Sequence, residues 1–396
     1  MVKFFYPLVE NPYRHKDIEE GIKVLKSNRL TIGSKTLSFE QAFTKKLKVK
    51  NSLMVNSGSS ANLLALQCLI NPYRKKRLKR GDEVIVPSLC WSTSLWPIIQ
   101  SGLKPVFVDV DIFTLNIDLN DLKKKINKRT KAILLVHVLG NCTDMDELMK
   151  IKKKNNLFLI EDTCESLGSK YRNKYLGTFG DFSSFSFYSS HQISSGEGGM
   201  ICCKNNEDLE ILKSLRSHGW SRGLKKEKNI ASNNKNLDKR FIFYNSGFNL
   251  RPTDIAASIG HSQFKDLDKF IIARALNRKN IKNEFYKNKK ISKHIHIIEQ
   301  TNNVNPSWFG IPMFVSKKIK KNEFIKKIER LGIETRPIIS GNFLKQPSIK
   351  KYQINPGKKL KNADFINDYG FFIGLPITRL TQSKIKKMVN CFEKSL

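Results

Sequence analysis

Three sets of polar residues follow apolar runs in this sequence, and their residue types could carry chemistry. The stretch NSGSS at 56–60 comes after LMV and leads into a helix-like segment. Asp162 closes NLFLIED, and His191 lies among hydroxyls and glycines in SFYSSHQISSGEGG at 186–199. Because ligands of open α/β sheets bind at the carboxyl ends of strands, the three sets are candidates for one site.

Each set suggests a particular chemistry. Gly58 permits a close backbone approach, and the free N–H groups of a helix start bind phosphate. A carboxylate such as Asp162 can keep a ring nitrogen protonated, which makes a pyridinium an electron sink. His191 can move protons because the unperturbed pKa of histidine is about 6.5. Each residue alone also has a plainer interpretation, as a helix-capping turn, a solvated carboxylate or a structural histidine.

The elements that must position these residues alternate along the chain. Apolar, β-branched runs predict buried strands at EVIVP (83–87), PVFVDV (105–110), KAILLVHV (131–138) and NLFLIED (156–162). Helix-like stretches separate them, such as SSANLLALQCLI (59–70) and DMDELMKIKKK (144–154). The alternation predicts an α/β fold with a large, mostly parallel sheet and helices on both faces.

The pattern changes at about residue 265, where lysine-rich helical segments begin. They are followed by IHIIEQ and GIPMFVSK, which predict strands of a separate small sheet. We therefore expect two domains, a large one over residues 1–264 and a smaller C-terminal α+β domain over 265–396.

The chain is strongly basic, with 71 Lys and Arg against 35 Asp and Glu and a formal net charge of +36. This balance, with the run RKKRLKR at 74–80, makes a nucleic-acid-binding protein one alternative. The lysines are nevertheless spread over the whole length and interleaved with Asn and Ile, which is typical of solvated faces. We expect no nucleic-acid partner, and we expect the charge to attract anionic ligands such as nucleotide diphosphates.

Other features indicate the compartment. No run approaches the ~20 apolar residues that a membrane span needs, and the N-terminal stretch lacks a cleavable signal pattern. The seven cysteines are an odd number without a CxxC pair. We expect buried thiols in a cytoplasmic protein, with no metal site and no membrane partner.

In this order and spacing, the segments resemble the DegT/DnrJ/EryC1/StrS sugar aminotransferases, a family of fold-type-I pyridoxal phosphate enzymes. The resemblance extends from YPLVENPY through GDEVIVPSLCW and PVFVDVD to GFNLRPTDIAASIGHSQF and GLPITRL. It implies the fold-type-I aminotransferase fold, with pyridoxal 5'-phosphate (PLP) or pyridoxamine 5'-phosphate (PMP) as cofactor. It also implies a homodimer with a shared active site.

The family normally has a lysine, which binds the cofactor covalently, where this chain has His191. The segments CWSTSLWPIIQSG, PSWFGIPM and IETRPIISGNFLKQP resemble its dehydratase branch. This implies a 3-dehydratase acting on a nucleotide-linked 4-keto-6-deoxy sugar, GDP-linked by the nearest resemblance, with glutamate as amino donor. Two alternatives remain, an aminotransferase homologue that has lost its lysine and a CDP-sugar 3-dehydratase. The CDP-sugar branch holds an iron–sulfur cluster with four cysteines in its C-terminal half, but only Cys391 follows Cys203 here.

The resemblance also implies a role for each cofactor contact. The phosphate is expected to lie against the backbone amides of Gly58 and Ser59, near Ser60 and the hydroxyl of Ser186. The pyridine ring is expected to stack on Trp91 and pair with Asp162.

Other roles concern proton transfer and the second subunit. Asn249 is expected to reach the neighbouring subunit's phosphate. Glu165 stands where the aminotransferases commonly have Gln, so a proton or a cation is expected at its carboxyl group. His191 is expected to take the cofactor's methylene proton and to protonate the leaving hydroxyl. For His218, assistance near the substrate and a structural role are equally expected.

Overall fold

The structure, a computed structural model, describes residues 4–396. Its strands, in chain order, are β1 (Asn51–Val55), β2 (Glu83–Pro87), β3 (Lys104–Val108), β4 (Thr130–Val136), β5 (Phe158–Asp162), β6 (Lys170–Tyr171), β7 (Lys174–Tyr175), β8 (Phe182–Ser186), β9 (Gly199–Cys203), β10 (Ile295–Ile297), β11 (Val304–Asn305), β12 (Gly310–Val315), β13 (Thr335–Arg336) and β14 (Gly370–Gly374).

Fifteen α-helices accompany the strands in the described residues. They are α1 (His15–Lys26), α2 (Ser34–Leu47), α3 (Gly58–Leu69), α4 (Ser92–Gln100), α5 (Leu119–Lys125), α6 (Met145–Lys154), α7 (Asn206–Arg216), α8 (Glu227–Ser232), α9 (Asp254–Phe264), α10 (Leu267–Lys287), α11 (Lys289–His294), α12 (Lys321–Arg330), α13 (Pro347–Lys351), α14 (Lys361–Tyr369) and α15 (Gln382–Ser395). Short 3₁₀ turns lie at Val138–Gly140, Lys239–Phe241 and Phe343–Lys345.

The main sheet has seven strands in the order β1-β9-β8-β5-β4-β2-β3. Pairings among β3, β2, β4, β5 and β8 are parallel, and β9 is antiparallel to both β8 and β1. The four predicted strands are present, each within two residues of its expected ends. The predicted α/β fold with a mostly parallel sheet is therefore confirmed.

A second, four-stranded sheet has the order β10-β12-β14-β13 and only antiparallel pairings. IHIIEQ and GIPMFVSK contribute β10 and β12, as predicted. Tyr6, far away in sequence, is buried in the core of this sheet, and its hydroxyl donates to the Gly374 carbonyl at 2.8 Å. The predicted domain boundary between residues 264 and 265 falls between α9 and α10 and stays a prediction.

A buried carboxylate ties β5 to the chain that follows it. Side chains alternate along a strand, so Glu161 and Asp162 point to opposite faces of the sheet. The fully buried Glu161 carboxylate accepts the N–H groups of Gly177, Phe179 and Gly180 at 2.6–2.8 Å. Its Oε2 lies 2.9 Å from His137 Nε2. Burial alone would raise the pKa of Glu161, but His137 and the backbone donors together lower it.

We expect Glu161→Ala to lower the free energy of unfolding by about 3 to 5 kcal/mol, because several buried donors lose their acceptor. Urea unfolding followed by circular dichroism measures the change. Glu323 is exposed on α12, and Glu323→Ala serves as the control, with an expected change within about 0.5 kcal/mol. Equal losses of stability in the two variants would contradict the stabilising role of the buried Glu161 carboxylate.

Candidate active site

A cavity of about 850 Å³ opens at the carboxyl ends of β1, β4 and β5. It has the size of a site for a small organic molecule. Seven of the ten predicted site residues line it, namely Gly58, Ser59, Trp91, Asp162, Glu165, Ser186 and His191. The sheet therefore brings together segments that are more than 130 residues apart in sequence.

At one end of the cavity, α3 begins at Gly58 with Ser57 as its N-cap. A Cβ atom on Gly58 would lie 2.7 Å from both Cys164 Sγ and Ser186 Cβ, so this position admits only glycine. The Ser60 hydroxyl donates to Asn56 Oδ1 at 2.6 Å and supports the turn from behind, outside the cavity wall. The helix start therefore presents free N–H groups in a tight cradle suited to phosphate.

At the other end, Asp162 ends β5 and is 5% exposed. Its Oδ2 accepts hydrogen bonds from Asn62 Nδ2 at 2.7 Å and from Ser94 Oγ at 2.8 Å. Asn62 is itself held by the Ser184 hydroxyl at 2.6 Å. These partners hold the carboxylate in one orientation, ready to pair with a protonated ring nitrogen. The Trp91 side chain is 57% exposed nearby and offers an aromatic face to the cavity.

Glu165 contributes a carboxyl group that holds its proton more tightly than an ordinary glutamate does. Its Oε2 accepts the N–H of Leu139 at 2.9 Å. Burial raises the pKa of Glu165 to about 7, with Asp162 adding to the rise and the Leu139 bond opposing it. Near neutral pH the group therefore exists in both protonation states.

His191 lies in the connection between β8 and β9, where its ring opens onto the cavity. It packs against the Phe309 ring at 5.2 Å between centroids. Burial, followed by the positive charge of Arg274, lowers the pKa of His191 to about 3. The imidazole is therefore neutral at physiological pH and can accept a proton.

Besides Ser60, two predicted residues lie outside the cavity of their own chain. His218 packs its ring on Trp220 at 5.0 Å, and its backbone N–H donates to Phe248. Asn249 is exposed, pairs with Ser217 in an isolated bridge and accepts a hydrogen bond from Arg251. Neither residue lines the cavity.

The sequence analysis missed several residues of the site. Asn62 and Ser94 hold Asp162, and Thr93 bonds to the Ser59 hydroxyl at 2.8 Å. Asn62 carried a usable signal, because it lies one helical turn after Gly58 and on the same face. Arg336 and Phe309 also line the cavity, although they belong to the second half of the chain.

The residues present fit a flat, phosphorylated pyridine. The Gly58 cradle suits its phosphate, and Asp162 suits its ring nitrogen. Among the residues that line the cavity in the described part of the chain, none is a lysine. The described lining of this cavity therefore offers no lysine amine for a covalent link to a cofactor.

The cysteines, possible metal ligands and long apolar helices were also compared with the sequence-based expectations. All seven cysteines are free thiols, and six of them are buried while Cys164 borders the cavity. Within residues 4–396, no cluster of three or more His, Cys, Asp or Glu has the arrangement of a metal site. No helix in the same range combines the length and apolar character that crossing a bilayer requires.

Comparisons with known proteins agree with this geometry. The DegT/DnrJ/EryC1/StrS aminotransferase family matches residues 12–393. GDP-4-keto-6-deoxy-D-mannose 3-dehydratase of Yersinia pseudotuberculosis is 38% identical over 395 residues, 98% of each chain. The solved structure of the Escherichia coli enzyme of that name, with bound hydrated PLP, superposes with a TM-score of 0.91 at 35% identity. That match covers 98% of this chain and all of the other.

A further solved structure shows GDP-4-keto-6-deoxymannose-3-dehydratase with a trapped PLP-glutamate geminal diamine. It is 35% identical to this chain with a TM-score of 0.90, over 98% of this chain and 100% of the other. The family predicted from the sequence, its fold and its PLP cofactor are therefore confirmed.

The raised pKa of Glu165 predicts a pH dependence of cofactor binding. Below its pKa of about 7 the carboxyl group can donate a hydrogen bond, and above it the carboxylate repels an anionic cofactor oxygen. PLP affinity should therefore fall as the pH rises through this range, by at most about tenfold per pH unit. Spectroscopic titrations with PLP at several pH values measure it.

Glu165→Gln is the matched variant, because it keeps the shape and removes the titration. Its affinity relative to the wild-type protein should rise with pH, whereas pH effects on PLP itself cancel in the ratio. A ratio that stays constant with pH would contradict the role of Glu165.

Proposed function

The chain belongs to the DegT/DnrJ/EryC1/StrS aminotransferase family, and from this premise we propose that it is a GDP-4-keto-6-deoxymannose 3-dehydratase. It uses PLP and PMP, takes its amino group from glutamate, and removes the C3 hydroxyl of the sugar. The observation that carries this proposal is His191 in a cavity that no lysine among residues 4–396 lines. The similarity to dehydratases over almost the whole chain supports it.

The cofactor is held by residues from several elements. The N–H groups of Gly58 and Ser59 and the Ser186 hydroxyl bind its phosphate. Trp91 packs on its ring, and Asp162 keeps the ring nitrogen protonated. When bound, the cofactor supplies an electron sink that accepts the electron pair of a breaking C–H bond and releases it to expel the C3 hydroxyl.

His191 moves the protons of the reaction. Its neutral ring has one unprotonated nitrogen, which takes the methylene proton of the cofactor. The imidazolium so formed is a strong acid because its site disfavours the charge, and it then protonates the leaving hydroxyl. A lysine here would bond to the cofactor and favour amine exchange, whereas a histidine forms no stable bond of that kind.

Charge favours a nucleotide diphosphate as the carrier of the sugar. Arg336 lines the cavity, and its guanidinium pairs with Glu334 at 3.0 Å. The net charge of +36 attracts a diphosphate to the protein. The basic run at 74–80 does not form a continuous basic surface, because Arg74 pairs with Asp208 and Leu78 is buried. This argues for a nucleotide-sugar partner over nucleic acid.

The active unit is a homodimer with shared active sites. Asn249 and His218 both lie outside the cavity of their own chain, and in a dimer they could reach the cavity of a second copy. Apolar side chains at helical spacing are exposed on α1, namely Ile18, Ile22 and Leu25, each more than 40% accessible. A second copy would cover such a face. The free thiols suit the reducing cytoplasm.

Product analysis tests the function directly. Purified protein with PMP and glutamate is incubated with GDP-, CDP- and UDP-linked 4-keto-6-deoxy sugars, and products are identified by mass. We expect ammonia and a 3-deoxy-4-keto sugar from the GDP-linked substrate. An amino sugar would show instead that the chain is an aminotransferase homologue without its lysine, and turnover of the CDP-linked sugar alone would reassign the substrate.

In the same assay, His191→Asn should lower turnover by about 100-fold to 10,000-fold, the range for general acid–base groups, while PLP still binds. His191→Lys should let borohydride fix the cofactor covalently to the protein and should favour amino sugar over 3-deoxy product. The wild-type protein is the control, in which borohydride fixes no cofactor. If His191→Asn kept normal 3-deoxy product formation, the base would have to be sought elsewhere, first at His218.

Mixed dimers test the assignment of Asn249. Asn249→Ala should weaken PLP retention, and His191→Asn should inactivate its own site. When the two variants are mixed at limiting PLP, half of the randomly formed dimers contain one intact site, so about a quarter of wild-type activity should return. No recovery would mean that Asn249 acts within its own subunit, and an active monomer would exclude the shared site.

A further inference from the structure

A buried arginine contacts the connection between β8 and β9, residues 187–198, which carries His191 and is called the histidine loop below. Arg274, on α10, is 5% exposed, and its guanidinium donates to the His191 carbonyl at 3.1 Å and to the Trp308 carbonyl at 3.4 Å. Its Nε has no hydrogen-bond partner within residues 4–396. In the same range no carboxylate compensates its charge, and burial alone lowers the pKa of Arg274, to about 10.

The surroundings of Arg274 form a small site of their own. A cavity of about 30 Å³ is lined by Arg274, His191 and Gln192, and by Leu8, Glu10 and Pro12 of the N-terminal segment. Each of the first three contributes a buried polar atom without a partner among the described residues, namely Arg274 Nε, His191 Nδ1 and Gln192 Oε1. The guanidinium and the imidazole thus share one enclosed polar space.

An uncompensated buried charge is costly. Removing an ion from water costs several kcal/mol in a protein, and a buried arginine usually meets a carboxylate. Arg278, one turn further along α10, follows that rule and pairs with Glu299 at 3.3 Å. Arg274 is bonded only to backbone carbonyls, so its charge acts on its neighbours with little screening.

We propose that Arg274 is the positioning residue of His191, which it anchors through the backbone carbonyl while placing an uncompensated positive charge behind the imidazole. This role rests on the proposed function, in which His191 transfers the protons of the reaction. A nearby cation disfavours the imidazolium, so the ring stays neutral until it takes a proton and then gives that proton up readily. Such a residue would support both the base and the acid step without contacting the substrate.

Other groups around His191 act on the same equilibrium. Asp162 and Glu165 face it from the end of β5, and Glu10 faces it from the N-terminal segment. Glu197 lines the same cavity from the connection between β8 and β9, as do Glu334, just before β13, and Arg336, in β13. Tyr188 and Cys164 adjoin the ring, and the Cys164 backbone favours protonation. The carboxylates favour the imidazolium, whereas burial and Arg274 lower the pKa of His191. Arg274 therefore opposes the negative charge that cofactor and carboxylates bring.

Three substitutions separate the charge of Arg274 from its hydrogen bond. Arg274→Lys keeps the charge, Arg274→Gln keeps a donor without the charge, and Arg274→Met keeps neither. In the full-length holoenzyme, the His191 ring signal is titrated by NMR with isotope-labelled histidine and assigned by its loss in His191→Asn. We expect Arg274→Gln and Arg274→Met to raise the proton affinity of His191 by about tenfold, and Arg274→Lys to leave it within about twofold.

The anchoring of the His191 backbone by Arg274 is measured separately. Amide hydrogen exchange of residues 188–195 should accelerate in Arg274→Met and stay near normal in Arg274→Gln. Arg278→Met is the matched control, a buried arginine of the same helix that does not line the cavity, and it should leave the His191 titration unchanged. If Arg274→Met does not fold, the Lys and Gln variants decide the role of the charge.

Identical His191 titrations in wild type, Lys and Gln variants would overturn the proposal. This outcome is distinguishable from failure of the proposed function, because the titration and the exchange are measured without turnover. Full activity of His191→Asn would contradict the proposed function, whereas a His191 titration that the Arg274 substitutions leave unchanged would contradict only the role of Arg274.

Discussion

A buried charge must find hydrogen-bond partners, and at the end of β5 this requirement organises the rest of the structure. Two consecutive carboxylates point to opposite faces there. Glu161 collects three backbone N–H groups and His137, which holds the following chain against the sheet. Asp162 is held by Asn62 and Ser94 and faces the cavity. One strand end therefore supports the fold on one side and the cofactor site on the other.

The phosphate end of the site follows from close packing around that strand. Gly58 approaches Cys164, two residues after Asp162, and Ser186, the last residue of β8, so closely that no side chain fits. The helix start is thereby held at a fixed distance from Asp162. A cofactor with a phosphate at one end and a ring nitrogen at the other matches two anchors whose separation is set by the backbone.

The histidine loop lies between opposing electrostatic influences. Glu165 and Asp162 place negative charge on the cavity side, while Arg274 places positive charge behind the loop. His191 thus lies between charges of opposite sign. In the proposed mechanism, replacing lysine by histidine is only one part of the change, because the neighbouring charges also act on the proton affinity of that histidine.

The sequence by itself determined the strands of the main sheet and the order of Gly58, Asp162 and His191, because hydrophobic pattern and residue type are local properties. It also indicated the family, because so many segments match in order. Only the tertiary structure decided which distant residues meet, such as Asn62 with Asp162, 100 positions apart, and Arg274 with His191, 83 apart. It also separated Asn249 and His218 from the cavity of their own chain. Contacts across such separations depend on how helices and loops pack on the sheet, and no local pattern encodes that packing.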